Sequence, residues 1–172
     1  MRQWLALVCG LLLFLHTPVN AAVTANSFIA PQTPANGKAQ IISTTSTLVI
    51  ANNGASVTSG AVTAYTCGAN GSKITGIFAG SNDTAAMTLQ VILVNTTVYA
   101  LATVTVGINA GSVVGTPVVN ILTPANMPGL PMDSDGNPYL YCNSGDLIRV
   151  GVLTTAVTAN KYLSVVVVAA DF

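Results

Sequence analysis

Charge is what this chain has least of. Only 6% of its 172 residues are Asp, Glu, Lys or Arg, and glutamate is absent altogether; an average soluble domain carries about 25%. The few charges are scattered singly, and formal net charge is zero. Without a Lys/Arg cluster there is no electrostatic footprint for nucleic acid or for an anionic membrane surface. The one histidine, His16, and the one tryptophan, Trp4, both fall near the N-terminus. Beyond them nothing remains to act as the base of a Ser/His/Asp triad, to supply imidazole to a metal, or to activate a thiolate.

The N-terminal stretch Met1 to Ala21 has the grammar of a secretory signal peptide. Arg2 precedes an apolar run from Trp4 to Leu15, then come Pro18 and the small-residue ending Val19-Asn20-Ala21. The apolar run falls short of the ~20 residues a spanning helix needs. Cleavage is expected after Ala21, leaving an exported chain (periplasmic, cell-surface or extracellular) without a stable membrane span. Cys9, His16 and Trp4 would leave with the leader.

Apolar residues are plentiful at 51%, enough for a core, and Thr, Ser, Asn and Gly occupy the places charge would otherwise take. Residues 22–38, with Pro31, Pro34 and Gly37, read as an extended arm or lead-in strand; residues 39–172 read as one domain. Its pattern is short β-rich runs punctuated by Asn, Gly and Pro. In Ala85 to Asn95, Met87, Leu89, Val91 and Leu93 share one face; Ile92 and Val94 lie on the other, whose far end is therefore expected to be covered. Val98 to Val106 alternates in the same way and should form a hairpin with it. Further strands are expected at Ile41 to Ile50, Ala61 to Thr66, Ser72 to Ala79, Pro117 to Leu122, Tyr139 to Cys142, Asp146 to Leu153 and Tyr162 to Ala169. The run Val165-Val166-Val167-Val168, apolar on both faces, belongs inside a sheet or in a subunit interface. About eight or nine strands at this spacing predict an all-β antiparallel sandwich. A jelly roll suits the strand count and the long Pro-rich connection from Gly107 to Asn137; an immunoglobulin-like order is the competitor, without its core tryptophan.

Candidate sites are few. Cys67 and Cys142 form either one disulfide or a pair of buried free thiols. Asp133-Ser134-Asp135-Gly136-Asn137 offers the oxygens of a calcium loop at Asp133, Asp135 and Asn137, but lacks the further ligands of an EF-hand and is equally good turn chemistry. Asp83 with Asp171, or Asp133 with Asp135, are the available carboxylate pairs for acid/base work. Asn70, Asn82 and Asn95 open glycosylation sequons. Tyr65, Tyr99, Tyr139, Tyr141 and Tyr162 are the residues available for stacking on a ligand. No catalytic residue and no cofactor is expected.

The stretch Tyr65-Thr66-Cys67-Gly68-Ala69-Asn70-Gly71-Ser72-Lys73-Ile74 resembles the opening of a group of small tailed-phage virion proteins. The segments Asn120-Ile121-Leu122, Leu130 to Leu140, Gly145-Asp146-Leu147 and Ala169-Ala170-Asp171-Phe172 resemble that group's later half. The resemblance spans roughly Gly60 to Phe172 and implies a β-sandwich virion component, a capsid decoration or tail-associated protein, with no catalytic residues to carry over. The leader is the departure from that group. The expected function is thus a non-enzymatic structural protein, a homo-oligomer or part of a larger assembly. The alternative is an exported module binding glycan or surface polymer, assisted by calcium.

Overall fold

Strands built from alternating Val, Ile and Thr bury one face and wet the other, and two such surfaces placed face to face make a core. The structure, a computed structural model, describes residues 33–51 and 56–172. The expected signal peptide and most of the expected N-terminal arm lie outside the described residues.

Eleven strands occur among the described residues: β1 (Thr33–Ile42), β2 (Val49–Ile50), β3 (Val57–Ser59), β4 (Val62–Thr66), β5 (Ser72–Ser81), β6 (Met87–Val94), β7 (Val98–Val106), β8 (Val119–Asn120), β9 (Leu140–Cys142), β10 (Leu147–Val152) and β11 (Tyr162–Asp171). No helix occurs among the described residues. One sheet runs β1-β11-β5-β8, with β9 also paired to β5; the second runs β4-β10-β6-β7; β2 and β3 form a separate ribbon. Every strand pair is antiparallel. The chain is an antiparallel β-sandwich.

Between the sheets the alternate residues interlock. Ile41, Ile74, Ile77, Leu163 and Val167 from the first sheet meet Met87, Leu89, Val91, Ile148 and Val150 from the second, all essentially without solvent exposure. Fully burying such a side chain contributes about 1.5–3 kcal/mol. Strand β11 lies between β1 and β5, which explains its valine run. Val165 and Val167 point into the core, whereas Val166 and Val168 stay 44% and 37% exposed on the outer face.

Several expected boundaries need correction. Thr33–Lys38, read as the end of an extended arm or lead-in strand, forms the first six residues of β1, so the domain's first strand starts before Ala39. Gly37 is there because β1 passes very close to β4: a Cβ at that position would stand 2.0 Å from the carbonyl oxygen of Ala64. The strand expected over Ile41 to Ile50 is broken by a turn after Ile42, where Thr45 N donates to the Ile42 carbonyl, and only Val49–Ile50 resumes as β2. Strand β3 was not anticipated. In β6 it is Ile92 that is fully buried and Leu93 that is partly exposed, across a register shift between Val91 and Ile92. The outer face of this second sheet is covered where Leu48 and the Gly60 carbonyl lie over Gly151, so small that a Cβ would meet both. On the second face of β6, Ile92 is fully buried and Val94 partly.

Candidate functional site

The chemistry-bearing residues gather at one end of the sandwich, where β4 ends, β5 begins and β11 closes the described chain. Cys67 follows β4 in the second sheet and Cys142 ends β9 in the first; their sulfurs are bonded, tying the sheets together across 75 residues of sequence. Both are buried, which removes them from thiol chemistry.

Beside the disulfide sits a polar knot. Tyr65 is buried, and its hydroxyl donates to Asp171 Oδ1 at 2.5 Å. The Ser72 hydroxyl donates to the same oxygen at 2.6 Å and accepts from the Gly68 amide at 2.8 Å. Gly68 is required because a Cβ there would lie 2.5 Å from Asp171 Cγ. The bonds from Ser72 and Tyr65 hold the Asp171 carboxyl below its ordinary pKa against the opposing effect of burial. Burial, followed by the bond to Asp171, raises the Tyr65 phenol. The pair is a neutral donor clamped on a charged acceptor. Tyr65, counted among the stacking tyrosines, is therefore taken up inside the fold.

On the outer face at the same end lies an aromatic strip. Tyr141 stands opposite Lys73 in the β5–β9 pair, and Tyr139 follows two residues away on the same side. The Tyr139 and Tyr141 rings meet edge-on at 4.9 Å, Phe172 approaches Tyr141 at 5.7 Å, and the Lys73 ammonium lies 4.4 Å from the centre of the Tyr139 ring. Asn70 Nδ2 donates to the Phe172 carbonyl and fastens the chain end there. Tyr99 and Tyr162 stand elsewhere, on β7 and at the opposite end of β11.

The Asp133–Asn137 segment is organised by its own backbone. Asp133 Oδ1 accepts from the amides of Asp135 and Asn137, Oδ2 accepts from Asn137 Nδ2, and Gly136 takes a φ of 80°. Those bonds, the Asn137 amide foremost, lower the Asp133 pKa. This is an Asx turn, with the carboxylate committed to holding the loop. No group of three or more His, Cys, Asp or Glu side chains comes together among the described residues.

Asp83 and Asp171 cannot act as a pair. Asp83 follows the last residue of the ten-residue β5, Ser81, while Asp171 faces the first, Ser72. That places them on the order of 30 Å apart at strand rise, far beyond the ~5–10 Å of paired acid/base carboxyls. Asp83 is fully buried and pins the loop before β11: Oδ2 accepts from Thr158 N at 2.7 Å, and Oδ1 accepts from Thr158 Oγ1 and Ala85 N. Burial opposes its charge, yet these bonds outweigh burial and leave its pKa below the ordinary value. Among the sequon residues, Asn82 Oδ1 accepts from the Tyr162 amide, Asn70 Nδ2 donates to the Phe172 carbonyl, and Asn95 lies in the exposed β6–β7 turn.

A small open groove of about 110 Å³ lies on the outer face near Phe78, Gly80, Val118, Ser164 and Val166. A drug-sized ligand needs about 300–1,000 Å³. Pattern reading missed this groove because it depends on two glycines and on how the long connection folds back. Comparison of this chain with protein-family models, with curated proteins and with solved structures gave no match.

Proposed function

We propose that this chain is a non-enzymatic structural protein that assembles with copies of itself, as part of a larger particle of the kind the virion-like segments suggest. One observation carries the reading: a long charge-free stretch of the chain leaves several large apolar side chains exposed. From Thr84 to Met132 there is no Asp, Glu, Lys, Arg or His. The same stretch exposes Tyr99, Ile108, Val113, Val114 and Val118. Val166, which lines the groove, and Val168 add to it on the outer face of the first sheet. Exposed apolar side chains that gather into a patch are the mark of contact with another macromolecule.

The strand order supports a jelly-roll reading of the sandwich. With the β2–β3 ribbon set aside and β8 and β9 counted as one position, the first sheet holds strands one, eight, three and six. The second holds two, seven, four and five. This double Greek-key order is the one that closes two four-stranded sheets over a shared core. The carboxylates argue against hydrolysis as a role, because Asp83, Asp133 and Asp171 are each spent on holding the fold. Sedimentation velocity of the purified protein across a dilution series tests the reading. Multimers that dissociate on dilution support it, and a lone single-chain species that joins no particle contradicts it.

The aromatic strip favours a second reading, a binding module for glycan or surface polymer. Tyr141 presents a half-exposed ring between Tyr139 and Phe172, a surface on which a sugar ring can stack. A glycan array in which Tyr141→Ala abolishes every signal supports this reading, and a blank array for the unaltered protein removes it.

A further inference from the structure

The four-stranded sheet ends in two strands with unequal protection. An edge strand offers unpaired amides and carbonyls to any other chain, and proteins blunt such edges with charge, proline, shortness or a bulge. In the first sheet, β1 carries Pro34 and Lys38, and β8 and β9 have only two and three residues. In the second, β4 has five residues and lies against β1 at Gly37. Strand β7 is different. It has nine residues, no proline and no charge, and it pairs only with β6 among the described residues. Its one irregularity, the extra residue Leu101, lies at the start of an uninterrupted run from Ala102 to Val106.

We infer that β7 is the assembly edge of this protein and that its partner is the β7 of a second copy, added antiparallel about a two-fold axis near Val104. This rests on the self-assembly reading above and specifies the surface it uses. Alternation fixes which backbone groups are free. The Thr88 carbonyl accepts from Leu153 N on the β10 side of β6, so Met87, Leu89 and Val91 turn their backbone groups toward β7. Their partners Val106, Val104 and Ala102 face β6, which leaves the amides and carbonyls of Thr103 and Thr105 pointing away from the sheet. A two-fold at Val104 sets Thr103 opposite Thr105 of the second copy, and the reverse. Each such pair exchanges two backbone hydrogen bonds.

The side chains agree with that register. Threonine would face threonine on the wet face, a favourable cross-strand pair, and Val104 would meet its own copy on the buried face. A two-fold axis puts every charge near it against its own kind, which is costly. The whole β6–β7 hairpin, Met87 to Val106, contains no charged residue and so incurs no such cost. The result is one continuous eight-stranded sheet spanning two molecules.

Three variants and one exchange measurement test this on the purified protein. Thr103→Pro removes an outward amide without touching the internal ladder, and Thr105→Lys brings like charges together across the axis. Each should weaken dimerisation at least tenfold by light scattering while leaving the circular dichroism spectrum unchanged. Gln40→Lys, at an exposed position on the other sheet, should leave the β7 dimer intact. In the unaltered dimer the Thr103 and Thr105 amides should be protected from hydrogen exchange, and Thr105→Lys should expose them; this arm holds even if the proline variant fails to fold. A multimer in which those two amides exchange freely would overturn the β7 assignment and leave self-assembly standing. A particle-bound chain that is monomeric in solution at tens of micromolar would do the same. A monomer that joins no particle would sink both.

Discussion

Tyr65 and Asp171, 106 residues apart in sequence, share a hydrogen bond in which the buried phenol donates to a carboxylate in the last strand. Through it the second sheet, where Tyr65 lies on β4, holds the closing strand of the first. The bond pairs with the Cys67–Cys142 disulfide next to it, so this end of the sandwich is fastened twice, once covalently and once by polar contact.

Acid should loosen the fold in a defined direction. Asp83 and Asp171 both have folded-state pKa values below the ordinary 3.8, because hydrogen bonds favour their charged forms. The unfolded chain therefore takes up protons first as pH falls. The stabilisation is complete above the unfolded-state pKa and is lost as pH drops through the folded values. Thermal unfolding should show a melting temperature that is level near neutrality and falls below about pH 4. The double variant Asp83→Asn with Asp171→Asn should flatten that fall.

Removing the Asp83 carboxylate altogether should be costlier than neutralising it. Asp83→Ala leaves the amides of Thr158 and Ala85 without their acceptor. Charge-assisted bonds in such a place contribute about 1.5–3 kcal/mol. Urea unfolding should show a loss of about 3 kcal/mol, against a smaller loss for Asp83→Asn.

The disulfide closes a long loop, and its main effect is on the unfolded chain. With the cysteines 75 positions apart, the loop-entropy relation gives about 4.5 kcal/mol. Cys67→Ser with Cys142→Ser should lower the denaturation midpoint correspondingly. The unaltered protein should take up no alkylating reagent at these positions until it is reduced.

Neighbouring valines on β11 should answer oppositely to truncation. Val165 is 1% exposed and Val166 44%. Val165→Ala should cost about 2 kcal/mol through the cavity it leaves, and Val166→Ala less than about 0.5 kcal/mol in the isolated chain. Equal losses in chemical denaturation would show that the faces of β11 have been misassigned.

Period-two alternation made most of this fold readable in advance. Met87, Leu89 and Val91 announce β6, and the threonines between the valines of Val98 to Val106 announce β7. What alternation could not reveal came from contacts distant in sequence. Gly37 looks like a turn residue, yet it is glycine because the Ala64 carbonyl occupies the space a side chain would need. Tyr65 looks available to a ligand until Ser72 and Asp171, remote in sequence, are seen at its hydroxyl. The two open alternatives at Cys67 and Cys142 were decided by the sheets, which bring their Cα atoms to 6.2 Å.

As a building block, this sparsely charged sandwich would be found in assemblies rather than as a free chain. Density-gradient fractionation of material from the producing cells, with the chain followed by mass spectrometry, tests this most directly. The account predicts that the chain travels with particles or multimers many times its own mass. Recovery of all of it at the position of one free chain, with none in any heavier fraction, would contradict the account.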